Sequence, residues 1–185
     1  MQSYTRDEVF KASREYFKND ELAANVFLKY SLRNNRTKEY YELTPDGMHH
    51  RLAKEFARIE SKYQNPLTEE KIYEYLKDFK YIVPQGSPMF GIGNNFQNVS
   101  LSNCVVISSP EDNISSIMDA AKNLANLMKR RCGVGLDISK LRPDGAKVSN
   151  AAETSTGAWS FADFYSYVCK KIGQERQKRG PNDNL

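Results

Sequence analysis

The sequence predicts an α + α/β fold, with a helical N-terminal domain over residues 1–80 and an α/β part over residues 81–180. Apolar side chains recur at helical spacing throughout the N-terminal part. From residue 81 onward, short β-prone runs alternate with longer amphipathic segments. This order of strand, helix, strand, loop and helix is typical of α/β proteins. The polar residues 181–185 are predicted to be a disordered tail.

Helix-start signals mark the N-terminal domain. Thr5 and Glu8 have the spacing of a capping box, in which each side chain binds the other residue's backbone N–H. Thr44 followed by Pro45 predicts another helix start, because proline fits the first helical position. We interpret the apolar residues behind these signals as core rather than as a cofactor site. They include Val9, Ala12, Phe17, Leu22, Val26, Phe27, Met48, Leu52, Phe56, Ile72, Leu76 and Phe79.

Residues 81–180 contain the strand signals. The predicted elements are a strand at 81–84, a loop at 86–98, a strand at 101–107, a long helix after Asp112, a strand at 134–138, a loop at 139–152 and a helix at 160–174. Asp112 is predicted to be the N-cap of the long helix. No internal repeat is present in the sequence.

The charge balance points away from nucleic acid. The formal net charge of +4 at pH 7 is small and evenly spread, so we expect no direct nucleic-acid partner. A basic run near the C-terminus fits a solvated helix face as well as an anion site. It comprises Lys170, Lys171, Arg176, Lys178 and Arg179.

Hydropathy and cysteine content indicate in which cellular compartment the protein is expected. No apolar run approaches the roughly 18 residues of a membrane span, and the N-terminus lacks the apolar region of a secretory signal. The three cysteines, Cys104, Cys132 and Cys169, are odd in number and far apart. A disulfide scaffold or zinc site is therefore not expected, and a cytoplasmic location fits.

Individual residues leave their chemistry open. Gly133, Val134 and Gly135 fit turn glycines better than a phosphate loop, because they follow a helix instead of opening one. Asp112 is more simply a cap than a ligand. Arg142, just before a proline, is either an exposed arginine or a phosphate contact.

The cysteine and histidine side chains also have two interpretations each. Cys104 lies in an apolar strand, where a buried and inert thiol is the default. Cys132, beside two arginines, is better placed for a lowered pKa. His49 and His50 are adjacent on a helix and so face different sides, which argues against a shared metal.

Several blocks, in order, resemble the large, catalytic subunit of class I or class II ribonucleotide reductase. In the helical part these are EYF at 15–17, DELAA at 20–24, KYSL at 29–32 and much of 44–60. They continue with GSPMF at 86–90, LSNC at 101–104, MKRRCGVGLDISKLRPDGA at 128–146 and TSTGA at 154–158. Together they cover nearly the whole chain.

The resemblance implies the start of a ten-stranded α/β barrel that reduces ribonucleotides to 2′-deoxyribonucleotides by thiyl-radical chemistry. By position, Cys104 resembles the first cysteine of the pair that reduces the substrate. The second cysteine and the radical cysteine lie further along in the family than these 185 residues. We therefore expect a truncated or split subunit that is active only with the missing part.

The resemblance also implies two sets of binding residues. The substrate-site set is Ser87, Asn103, Cys104 and Gly133. The effector-site set is Asp112, Asn113, Ile114, Arg142 and Ser149. In the second set, a carboxylate can accept from a ribose hydroxyl and a helix N-terminus favours phosphate. Ser149 stands where some relatives carry a second arginine, with Lys147 nearby.

The expected ligands and partners follow from the family. They are a ribonucleoside diphosphate substrate, a deoxynucleotide or ATP effector, a complementary chain, a second copy of the subunit, and a radical generator that is either a dimetal small subunit or adenosylcobalamin. The chain itself is expected to bind no cofactor or metal directly. The alternatives are a non-catalytic deoxynucleotide-binding regulatory module and an inactive truncated fragment.

Overall fold

The protein is described by a computed structural model that covers residues 2–172 and has two compact units, which divide between Leu101 and Ser102. The predicted domain boundary lay at 80/81, and the difference has a local cause. Met89 and Ile92 pack against the helical core, and Gln97 bonds to Asn35 at 2.8 Å. Residues 86–97 therefore belong with the helices that precede them.

The first unit consists of helices and loops. The helices are α1 (Arg6–Tyr16), α2 (Glu21–Tyr30), α3 (Pro45–Glu60), α4 (Glu69–Leu76), a 3-10 turn (Lys77–Phe79) and α5 (Gly86–Gly91). The capping box at Thr5 and Glu8 is confirmed, with backbone-to-side-chain bonds of 2.7 and 3.3 Å. Thr44 is the N-cap of α3 and Pro45 its first residue, although the Thr44 side chain makes no capping bond.

The core of the first unit lies where α1, α2, α3 and α4 meet. Each helix contributes some of the apolar residues that the sequence predicted as core, at about 1.5–3 kcal/mol for each fully buried large side chain. The buried set is Val9, Phe27, Leu28, Tyr40, Met48, Leu52, Ala53, Ile72 and Leu76. The prediction was wrong for Leu22, Val26 and Phe56, which are 75%, 38% and 40% exposed, because packing against neighbouring helices covers only part of each apolar face.

Two predictions in the region after α4 were wrong. Residues 81–84 form no strand; the Ile82 N–H instead donates to the Tyr75 carbonyl at 3.0 Å, and the apolar side chains are exposed. A strand needs a partner, and none pairs with this run within residues 2–172. The predicted loop at 86–98 begins with helix α5, in which Pro88 occupies the first turn, where no backbone donor is required.

The second unit contains a mixed arrangement of helices and a small sheet. It runs β1 (Cys104–Val106), α6 (Ile114–Met128), β2 (Gly133–Gly135) and α7 (Gly157–Ile172). The two strands are parallel, with Cys104 opposite Gly133 and Val106 opposite Gly135. Helices α6 and α7 pack together around Ile117, Leu124 and Tyr165. Two parallel strands joined through a helix form a βαβ unit, which agrees with the α/β order of elements predicted from the sequence.

The element ends differ from prediction in this unit. The N-cap of α6 is Asn113, whose side chain accepts from the Ser116 N–H at 2.9 Å, and not Asp112. Both strands are shorter than predicted, and α7 begins at Gly157 instead of residue 160. The predicted end of that helix at 174, the tail at 181–185 and three of the five basic residues lie outside the described residues. Within residues 2–172, no helix is both long and apolar enough to span a bilayer.

His49 is a buried polar residue in the core of the first unit. Its ring is fully shielded from solvent, and neither ring nitrogen has a hydrogen-bond partner among residues 2–172. The rings of His49 and Phe79 make an edge-to-face contact, with their centroids 4.6 Å apart. Burial lowers the pKa of His49, against the opposing influence of Asp46 and Asp78.

The replacement His49→Leu is expected to stabilise the first unit by about 1 kcal/mol at pH 8, because a buried unpaired polar group is removed. Since the folded pKa lies below the unfolded value of about 6.5, the unfolded chain takes up the proton first as the pH falls. The free energy of unfolding of the wild type therefore decreases as the pH falls below about 6.5. The stability difference between His49→Leu and the wild type should increase over the same range. Urea denaturation at pH 8 and pH 5.5 measures both effects.

The matched control is His50→Leu on the same helix. His50 is half-exposed and lies 3.7 Å from Asp46, so its replacement should bring no gain in stability. Equal gains from the two variants would contradict the role given to burial at His49.

Candidate functional site

The paired strands bring together three of the four predicted substrate-site residues. Asn103 immediately precedes β1, Cys104 begins it, and Gly133 lies opposite Cys104 at the start of β2. The Gly133 N–H donates to the Asn103 carbonyl at 2.7 Å. Ser87, the fourth, belongs to α5 of the first unit.

Cys104 is exposed, so the prediction of a buried and inert thiol was wrong. Side chains alternate along a strand, and in β1 the alternation turns Val105 inward and Cys104 and Val106 outward. Cys132, the residue before β2, is buried, and its Sγ lies 3.3 Å from the Gly133 carbonyl oxygen. The exposed thiol is therefore the one that the family resemblance singled out.

Gly133 leaves space beside that thiol. A β-carbon at position 133 would stand 3.4 Å from the Cys104 Sγ and 3.2 Å from the Asn103 carbonyl oxygen. Any larger side chain would extend over the sulfur. The glycine thus keeps the approach to the Cys104 thiol open on this face of the strand pair.

The replacement Gly133→Val is expected to slow alkylation of Cys104 several-fold, because the new side chain covers the sulfur. The rate is measured by iodoacetamide labelling followed by peptide mass spectrometry, with buried Cys132 as the slow internal reference. Gly135→Val is the matched control, since a β-carbon there would meet Val106 instead, at 3.4 Å. Equal slowing in both variants would contradict the shielding argument.

The five predicted effector-site residues line one cavity of about 380 Å³ in the second unit. Asp112, Asn113 and Ile114 come from the start of α6, while Arg142 and Ser149 come from the loop after β2. The two segments are distant in sequence, and the fold brings them together around the cavity. The structure therefore brings the whole predicted set into one place.

An ion pair stands on the wall of this cavity. The Arg142 Nε donates to the Asp112 Oδ2 at 2.6 Å, and the Arg142 backbone N–H donates to Oδ1 at 3.3 Å. Each of the two side chains is 34% exposed, so the pair is partly shielded from water. Asp112, predicted as a helix cap, instead holds the loop to the start of α6.

Two further contacts fix the loop that begins at Ser139. Asp137 accepts from the Ser139 backbone N–H at 2.9 Å and from its hydroxyl at 3.0 Å, and the backbone bond is the main cause of the lowered pKa of Asp137. Lys140 forms an exposed ion pair with Glu111 at 2.7 Å. The loop is therefore attached beside the α6 N-terminus at several points.

The hairpin at residues 147–154 forms another wall of the cavity, and no role was assigned to it from the sequence. Lys147 pairs with Thr154 in an antiparallel bridge, and the Val148 N–H donates to the Glu153 carbonyl at 2.9 Å. Its cavity-lining residues that were not predicted are Val148, Asn150, Ala152, Thr154, Ser155 and Thr156, joined by Phe161 from α7. The TSTGA block lay in the resemblance, but its contribution to the cavity depends on a pairing that no local pattern specifies.

Among residues 2–172, no group of three or more His, Cys, Asp or Glu side chains is arranged to hold a metal ion.

A comparison with family models gives a match over residues 102–182 to the barrel domain of ribonucleotide reductase. The chain is similar in sequence to the large subunits of ribonucleotide reductase. The matched region begins at the first residue of the second compact unit, and contains the strand pair and the cavity described above.

Curated reductases match at low identity. The chain is 27% identical over 149 residues to the ribonucleoside-diphosphate reductase subunit alpha of Buchnera aphidicola, covering 79% of this chain and 18% of that protein. It is 26% identical over 104 residues to large chain 2 of Saccharomyces cerevisiae, covering 56% of this chain and 12% of that protein. The chain thus spans less than a fifth of the length of these relatives.

A solved structure supports the fold. The class Id ribonucleotide reductase alpha subunit of Actinobacillus ureae matches with a TM-score of 0.56 and 19% identity. The match covers 80% of this chain and 25% of that chain. The mixed helix and small-sheet arrangement is therefore found in a reductase large subunit.

Proposed function

We propose that this chain supplies the N-terminal part of a ribonucleoside-diphosphate reductase large subunit and contributes one cysteine of the pair that reduces the substrate. The observation that carries this proposal is the exposed Cys104 thiol beside the side-chain-free face of Gly133. A thiol that delivers electrons to a ribose must be accessible to the substrate, and then to its partner cysteine and a reductant.

The chemistry requires more than the residues described. Two thiols are oxidised to one disulfide while the 2′-hydroxyl of the ribonucleotide leaves as water, so a second cysteine must close the disulfide with Cys104. We place that cysteine, the radical cysteine and the remaining strands of a ten-stranded barrel in further reductase sequence. This chain is then active only when joined to that sequence, on the same polypeptide or on a complementary one.

The remaining parts of the proposal follow from this role. The substrate is a ribonucleoside diphosphate, as in the names of the curated relatives, and the radical generator is either a dimetal small subunit or adenosylcobalamin. The large subunit acts as a homodimer in the cytoplasm. This chain binds no cofactor itself, and its nucleotide ligand beyond the substrate is a deoxynucleotide or ATP effector.

The test is purification of this chain from its native source, with mass spectrometry of the proteins that accompany it. A partner, or a longer form of the chain, that carries the remaining barrel and a radical cysteine supports the proposal. The purified assembly should then convert a radiolabelled ribonucleoside diphosphate to the deoxy form. An assembly that contains all these parts and a radical generator but makes no deoxynucleotide would refute it.

The cavity favours a second candidate function, a non-catalytic deoxynucleotide-binding regulatory module. It collects Arg142, a helix N-terminus and several hydroxyl and amide side chains, which are groups that bind phosphate and sugar. Calorimetry should detect deoxynucleoside triphosphate binding that is lost in Arg142→Ala. The control Lys140→Ala removes an equal charge from the same loop and should retain binding. Binding without reductase activity in the complete assembly favours this function; absence of binding excludes it.

A further inference from the structure

Among the residues within 2–172 that line the cavity, Asp112 and Arg142 are the two that carry a charge, and they are paired with each other. The other lining residues are apolar or carry neutral hydroxyl and amide groups. Because the two charges cancel at 2.6 Å, an approaching anion meets little net attraction from the cavity wall. With this ion pair formed, the cavity residues in the described part of the chain offer no free positive charge to a polyphosphate.

The hydrogen bonds of the Arg142 guanidinium show that its donors are already engaged. Arginine has five N–H donors and binds phosphate best through two neighbouring ones. In Arg142, Nε donates to the Asp112 Oδ2 at 2.6 Å and Nη2 to the Asp112 main-chain carbonyl at 3.4 Å. Nη1 donates to the Lys147 carbonyl at 3.2 Å. The fork formed by Nε and Nη2 therefore already faces Asp112.

We infer that the Asp112 carboxylate is a latch on Arg142, and that a polyphosphate binds by exchanging places with it. This inference deepens the proposed effector role of the cavity and rests on it. When the phosphate takes the guanidinium, the Asp112 carboxylate is released at the same cavity wall. It is then available to accept a hydrogen bond from a ligand hydroxyl.

The exchange makes the cavity selective for a nucleotide over free polyphosphate. Inorganic triphosphate must break the ion pair but offers no sugar hydroxyl to the released carboxylate. A nucleoside triphosphate breaks the same pair and re-engages both partners, the guanidinium with phosphate and the carboxylate with the sugar. A partly buried charge left without a partner is costly, so this difference favours the nucleotide.

The test compares inorganic triphosphate with a deoxynucleoside triphosphate by calorimetry on the full chain, in wild type and in Asp112→Asn. The variant keeps the shape of the side chain but removes its charge. It is expected to bind inorganic triphosphate about tenfold more tightly than wild type, a change of about 1.4 kcal/mol. Its preference for the nucleotide over inorganic triphosphate should fall.

Glu111→Gln is the matched control. It removes the same charge one residue away and breaks the exposed pair with Lys140, but leaves Arg142 engaged with Asp112. Its affinity for inorganic triphosphate should stay within about twofold of wild type, since exposed charges interact weakly. An equal gain in Asp112→Asn and Glu111→Gln would overturn the latch and leave a general charge effect.

A measurement on wild type covers the case in which Asp112→Asn does not fold. The NMR signal of the Arg142 Nε–H and that of the Asp112 carboxylate carbon should both shift when the nucleotide is added. Bound nucleotide with the two signals unchanged would overturn the latch while leaving effector binding intact. Absence of nucleotide binding in wild type would refute the effector role itself, and the latch with it.

Discussion

Replacing Arg51 with methionine is expected to lower the free energy of unfolding of the first unit by about 3–5 kcal/mol, because it leaves a buried carboxylate without its partner. The Arg51 Nε lies 2.5 Å from the Glu42 Oε1, and the two side chains are only 10% and 4% exposed. Arg51 also donates to the Met89 carbonyl at 2.7 Å and to the Ile92 carbonyl. One guanidinium thus joins α3 to the loop that carries Glu42 and to the residues at the end of α5.

Hydrogen exchange read by mass spectrometry localises this effect. Peptides from α3 and α5 should exchange much faster in Arg51→Met, while those from α6 in the second unit serve as the internal reference. Arg58→Met is the matched control, because Arg58 lies on the same helix in an exposed pair with Glu55. Its α3 peptides should exchange much as in wild type. Similar acceleration in the two variants would show that burial of the pair does not matter.

Cys104→Ser is expected to reduce deoxynucleotide formation to background in the reductase assembled with the rest of the barrel. A serine hydroxyl can neither supply the electron of a thiol nor close a disulfide. The substitution removes one exposed sulfur and changes no core contact. Substrate binding should therefore persist while turnover and substrate-dependent disulfide formation are lost. Product formation from a radiolabelled ribonucleoside diphosphate and non-reducing peptide mapping measure the two losses.

Cys169→Ser is the control for this prediction. Cys169 lies on α7, packed partly against the core of the second unit, and has no predicted part in the chemistry. Its variant should keep most of the activity. Sustained turnover by Cys104→Ser would overturn the role assigned to that thiol.

Features that depend on neighbouring residues were predictable. The capping box at Thr5 and the start of α3 at Pro45 are set within one helical turn, so a local pattern contains the information. Helical periodicity also predicted much of the buried face of these helices, although Leu22, Val26 and Phe56 are exposed. The effector-site residues were named through the family resemblance, and the structure places all five around one cavity.

Features that depend on distant partners were not predictable from local patterns. Residues 81–84 have strand-like composition but pair with no strand among residues 2–172, and sheet formation requires a partner. Cys104 lies in an apolar run, yet its exposure is decided by the absence of a side chain at Gly133 and by the alternation of β1. Composition alone could not distinguish an exposed thiol from a buried one.

The sequence by itself determined the longer helices, the capping box at Thr5 and the order of elements around the strand pair, since each follows from residues close together in the chain. The tertiary structure alone decided what Asp112 does. Thirty residues separate it from Arg142, and a helix-cap signal competes there with a charge that only folding brings near. The bond to Arg142, at 2.6 Å and partly shielded from water, joins two ionised groups, whereas a cap would join the carboxylate to a neutral N–H. Asn113 caps the helix in its place.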